Sequence, residues 1–141
     1  MLRVVVDTNL WISFLIGRRL SVIKELFTKG DLLLLSSYTQ LAELGDVASR
    51  LKFRRYFTEA QAEELLNLLS AASELVEVSE HVHACRDEND DFLLEIAVNG
   101  SADIIITGDA DLLALHPFRG VEILSFVDFE RRVSSRSDAS S

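Results

Sequence analysis

The stretch "VVVDTN", residues 4–9, constrains the chain more than any other: an unbroken apolar run ends abruptly on a carboxylate. An apolar run of strand length without polar alternation is the pattern of a strand buried on both faces. Leu2–Val6 reads as that strand. Leu32–Leu35, Leu75–Val78, Ile104–Thr107 and Val121–Leu124 read as further strands. Between them lie helical patterns. Asn9–Ile16 stops near Gly17, and Ser21–Thr28 is capped by Ser21 and ended at Gly30. Tyr38–Leu51 places Leu41, Leu44, Val47, Ala48 and Leu51 on one face. Thr58 opens the next helix in a capping box with Gln61. Asp90–Asn99, ended by Gly100, Ala110–Leu115 and Phe126–Val133 complete the series. Strands alternating with helices predict an α/β domain. Its central sheet is mainly parallel, of about four or five strands, with helices on both faces. The 141 residues suit one domain, residues 1–133, followed by a serine-rich tail, 134–141, expected to be unstructured.

The formal net charge of −9 argues against a nucleic-acid binder held by a broad basic field. It leaves one opening: convergent carboxylates that bind divalent cations invert the local sign of the surface. One cysteine, Cys85, makes no disulfide framework and fits a reducing compartment such as the cytoplasm. No apolar run is long enough to span a bilayer, and Arg3 is followed by only three valines before Asp7, so neither a membrane span nor a signal peptide is expected.

In parallel sheets, ligands bind at the carboxyl ends of the strands. Asp7 and Asp109 each lie just past such an end, and Asp111 is two residues further on. Asp90 and Asp91 open the helix that feeds the Ile104–Thr107 strand, and Glu43 interrupts a leucine-rich helix. Like charges a few ångströms apart resist joint ionisation. Mg²⁺ and Mn²⁺ resolve that conflict, because hard cations take oxygen ligands and leave room for water and phosphate. Such ions can activate a water and stabilise the leaving oxygen of a phosphodiester. Each acid also has a plainer reading. Asp90 and Asp111 can cap their helices, Glu43 can be a surface charge, and Asp87, Glu88 and Asp91 can be solvated loop charges.

"VVVDTNLWISFL", Glu43 within "QLAELGDVASRLKF", "CRDENDDFLLEIA" and "ADIIITGDADLLAL" together resemble the four acidic motifs of the PIN domain family, in order and spacing, over roughly residues 3–129. The likeness is strongest to prokaryotic toxins of the VapC type. It implies a three-layer α/β/α fold. It places the family's acids on Asp7, Glu43, Asp90 and Asp109, with Asp91 the alternative at the third position and Asp111 an auxiliary ligand. Thr8, Asn9, Asp91 and Thr107 fall among the polar residues that support them. It further implies a Mg²⁺- or Mn²⁺-dependent endoribonuclease, an RNA substrate, an antitoxin partner, and a homo-oligomer, dimer or tetramer. The rival is a non-catalytic module acting through protein or RNA binding. Glu88 and Leu51 stand where relatives carry proline, and Leu93 where phenylalanine is common, which alters loop shape rather than the acidic set.

Two other stretches carry chemistry. "HVHAC" sets His81, His83 and Cys85 at alternating positions, a metal-site pattern on a strand but without a fourth ligand. "RLKFRRYF" interleaves Arg50, Lys52, Arg54 and Arg55 with aromatics. It reads either as an ordinary connector or as an RNA or partner contact. A receiver-type phosphoacceptor is excluded, because no lysine follows Lys52.

Overall fold

Leu2–Val6 forms β1, and its residues are split between two cores. Val4 and Val6 face one side of the sheet and Val5 the other, each at most 3% exposed. This strand is the centre of the molecule, which is described here from a computed structural model for residues 1–21, 24–25 and 31–140, the side chains of Asn89 and residues 135–140 apart. The chain continues through α1 (Thr8–Ile16), β2 (Leu32–Ser36), α2 (Tyr38–Ala48), a 3₁₀ turn (Leu51–Phe53), α3 (Glu59–Ala72) and β3 (Ser73–Leu75). It then forms α4 (Glu88–Asn99), β4 (Ile104–Ile106), α5 (Ala110–Leu113), β5 (Glu122–Leu124) and α6 (Phe126–Ser140).

The five described strands form one sheet in the order β3-β2-β1-β4-β5, and every pairing is parallel. The apolar faces of α1, α2 and α3, with Phe129 of α6, pack on the Val4/Val6 side. Leu93, Leu94, Ile96 and Ala97 of α4, with Leu112 of α5, pack on the Val5 side. The domain is therefore the three-layer arrangement expected.

Three elements differ most from the sequence reading. The third helix ends at Ala48 rather than Leu51, so Leu51 is 85% exposed instead of joining the buried face. The guanidinium of Arg54 donates to the Ala48 carbonyl there, giving the helix end a cation in place of another turn. The strand expected at Leu75–Val78 lies at Ser73–Leu75 instead. Its register, Leu34↔Ser73 to Ser36↔Leu75, is dictated by β2, which ends at Ser36. The last helix does not stop at Val133 but runs to Ser140, through the serine-rich stretch expected to be unstructured. No glycine or proline interrupts it, and propagating a formed helix costs little. The helix expected over Ser21–Thr28 falls largely outside the described residues.

Gly100 ends α4 for a reason other than backbone freedom. The left-handed residue is Ser101, with φ 54°. A Cβ on Gly100 would lie 2.8 Å from Val76 Cγ2 and 2.9 Å from the Ile96 carbonyl. Gly100→Ala should therefore overpack the α4–sheet contact and lower the melting temperature by about 3–10 °C. An unchanged thermal melt would show that this contact is loose.

Candidate active site at the carboxyl end of the sheet

The β1–β4 register sets the site. Val6 pairs with Ile106, so the residues that follow, Asp7 and Thr107, emerge side by side at the rim. This is where the connections run out to opposite edges of the sheet, the position at which open parallel sheets form their crevice. Thr107 is fully buried. Its hydroxyl donates to Asp7 Oδ2 at 2.7 Å and accepts the Asp109 backbone N–H at 3.0 Å. Asp7 Oδ1 accepts the Asn9 N–H at 3.0 Å and so caps α1. Asp109 Oδ1 accepts from the N–H groups of Asp111, at 2.8 Å, and Leu112, at 3.4 Å, capping α5. Capping and membership of the site are thus compatible for both acids.

Three further segments close the cleft, whose volume is about 220 Å³. From α2 come Gln40 and Glu43, three residues apart, and from its C-terminal side Val47 and Arg50. From α4 come Asp90, Phe92, Leu93 and Ile96, and from the loop before it Asp87. Thr8, Asn9 and Thr39 line the mouth. The structure therefore brings Asp7, Glu43, Asp90 and Asp109 to one cleft.

The acids feel one another. Burial, and then the charges of Asp109, Asp87, Asp7 and Asp111, push the Asp90 carboxyl up to about 6. Burial raises Glu43 as well, helped by Asp7 and Asp87 and opposed by the Arg50 guanidinium. Asp91 behaves differently. Burial pushes it up, but the N–H groups of Ala84 (2.9 Å) and Cys85 (2.8 Å) donate to its Oδ1 and hold it below the usual range. It ties the loop before α4 and is not among the residues lining the cleft. Asp111 is exposed and also off the cleft lining.

Gln40 and Asp87 were missed as site residues. Gln40 is buried, donates from Nε2 to the Val6 carbonyl at 2.7 Å, and accepts from Ser36 Oγ at 2.8 Å. A signal existed: it lies three residues before Glu43, on the same helix face. Asp87 read as a solvated charge because nothing in a loop sequence shows which way the loop folds.

The "HVHAC" stretch is not a strand, so the alternating pattern collapses. His81 Nδ1 lies 3.4 Å from Glu95 Oε1, and burial, followed by Asp91, pushes the Cys85 thiol up to about 12. In the basic stretch the four cations part company. Arg50 reaches the cleft. Arg54 turns inward to the carbonyls of Ala48 and Phe57. Lys52 and Arg55 stay exposed.

A family model described as PIN domain matches residues 3–111, a span that takes in all five cleft acids, Asp7, Glu43, Asp87, Asp90 and Asp109. The chain belongs to the PIN domain family. It is also 32% identical over 117 residues to an uncharacterized protein of Methanocaldococcus jannaschii, covering 81% of this chain and 75% of the relative. PIN domains are generally nucleases and generally use divalent metals. Among the described residues, no three His, Cys, Asp or Glu side chains are grouped so as to hold a metal ion. The donor chemistry of the cleft nevertheless suits a hard cation: every candidate ligand is an oxygen, and the acids raise one another's affinity for positive charge.

Two outcomes follow. The raised Asp90 carboxyl makes the fold prefer the protonated acid. Its contribution is favourable below about pH 4 and is lost as pH rises through about 6. In chelator at pH 7, Asp90→Asn should raise the melting temperature by roughly 3–8 °C, and the gain should vanish below pH 4. A gain that persists in acid would locate its origin elsewhere. Arg54→Ala should lower the melting temperature by about 2–8 °C, since it leaves buried carbonyls without a donor. A melt equal to wild type would return Arg54 to the surface.

Proposed function

We propose that this PIN domain is an endoribonuclease that depends on Mg²⁺ or Mn²⁺ held by Asp7, Glu43, Asp90 and Asp109. One observation carries the reading: Asp7, Glu43, Asp90 and Asp109, from four separate segments, line a single cleft at the crevice of the sheet, with Asp87 beside them. A bound divalent ion would supply an activated water and neutralise charge on the phosphodiester. The protein's own groups do the rest. Thr107 holds Asp7 in one orientation from beneath, and Gln40 fixes the α2 wall to β1. Leu93 and Ile96 give the cleft a dry flank, where electrostatic interactions are stronger than in water. In-line attack by water would leave a 5′-phosphate and a 3′-hydroxyl, and no side-chain nucleophile is required.

The family likeness supports a wider setting: the toxin half of a toxin–antitoxin pair, restrained by an antitoxin and assembled as a dimer or tetramer in the cytoplasm. No helix among the described residues is long and apolar enough to cross a membrane.

The test uses Asp7→Asn and Asp109→Asn. Asparagine caps a helix about as well as aspartate, so both variants should fold. Each should lose Mn²⁺-dependent RNA cleavage by orders of magnitude. Millimolar Mn²⁺ should raise the wild-type melting temperature, a ligand at about 100 times its Kd adding about 2.7 kcal/mol. Asp109→Asn should abolish most of that rise. A folded, active Asp7→Asn protein would sink the mechanism and favour a binding module.

A further inference from the structure

We propose that the groove lined by Leu51, Lys52, Arg55 and Tyr56 is the path of a single-stranded RNA leaving the cleft, its phosphates held by Lys52 and Arg55 and an unpaired base stacked on Tyr56. The proposal rests on the nuclease reading above and adds to it where the substrate runs and why it must be unpaired.

Position comes first. Arg50 lies on the wall of the acidic cleft, and the very next residue, Leu51, begins the groove. Ile16 closes the groove from the far end of α1, the helix that Asp7 caps, so it lies roughly 13 Å along that axis from the acid. The groove is a shallow, open depression of about 670 Å³ on the surface.

Charge comes second. The chain carries a net −9, yet no acid occurs between Asp46 and Glu59, and Arg50, Lys52, Arg54 and Arg55 fall inside that interval. Arg54 is consumed by the Ala48 and Phe57 carbonyls, and this pins the segment. Lys52 and Arg55 are exposed and lie over neighbouring rings, Lys52 Nζ 5.1 Å from the Phe53 centroid and the Arg55 guanidinium 5.7 Å from the Tyr56 centroid.

The platform is rigid. Phe53 stacks on Phe57 at 5.6 Å and 17°, and Phe57 is buried in the core. Tyr56 is 44% exposed and Leu51 85%, apolar surface that is costly to leave in water. A phosphate backbone with splayed bases satisfies both halves of this surface, since aromatic rings accept any unpaired base.

The experiment is fluorescence anisotropy with a 5′-labelled, mixed-sequence 12-nucleotide RNA in Mg²⁺, in an Asp7→Asn background that keeps the probe intact. Lys52→Ala with Arg55→Ala should weaken binding at least tenfold. The same pair should flatten the log Kd–log salt slope by about 1.4, two single-strand phosphate contacts' worth. Tyr56→Ala should weaken binding about tenfold and leave the slope unchanged, and Tyr56→Phe should restore it. Duplex RNA of the same sequence should bind less tightly than the single strand. All three residues are exposed, and a melting curve on each variant confirms the fold. Unchanged affinity and slope in the double variant would overturn the proposal. So would polyglutamate binding as tight as RNA with Tyr56→Ala silent, which would make the surface a protein-docking site. Failures separate cleanly. If the variants lose RNA but wild type cleaves none, the nuclease reading falls and the groove stands as a single-strand RNA-binding surface. If wild type cleaves and the variants bind RNA normally, the path falls alone.

Discussion

A single buried hydroxyl links the fold to the site. Thr107, with no exposure, donates to Asp7 and accepts from the Asp109 backbone, so the two strand-end acids are set by one side chain. A hydrogen bond to a charged acceptor in a low-dielectric setting is among the stronger ones a protein makes. It forms only because Val6 pairs with Ile106; a slip of one residue would turn every side chain of β4 to the opposite face. The unbroken apolar runs of β1 and β4, packed on both sides, make any slip costly, and the position of the acids inherits that precision.

The cleft then holds a tension. Burial first, and then repulsion among its acids, pushes Asp90 up to about 6 and raises Glu43. Backbone N–H groups offset part of this. Asp7 takes one from Asn9, and Asp109 takes two at the start of α5. The acids that cap are tied down by the fold. Asp90 and Glu43 draw their raised affinity for protons from burial and from their neighbours, and a hard divalent cation satisfies the same field.

Outside the cleft, one short connector is divided among three tasks. Arg50 offsets the acids, Arg54 ends α2 and anchors the turn, and Lys52 and Arg55 remain on the surface beside exposed rings. The sequence shows four interchangeable cations there. They differ only because α2 stops at Ala48, which decides the direction of each residue after it.

The order of strands and helices, the parallel sheet and the strand-end places of Asp7 and Asp109 were legible in the sequence, because buried strands and amphipathic helices leave periodic patterns that burial enforces locally. The capping box at Thr58 and Gln61 was legible for the same reason: its partners are three residues apart. Gln40's bond to Val6, Asp87's place at the cleft and the parting of Asp90 from Asp91 were not legible. They depend on contacts between segments far apart in the chain, or on the path of a loop with no period to read. The acids and their chemistry belong to the sequence; which of them share a cleft is decided by a register and a loop that exist only once the chain has folded.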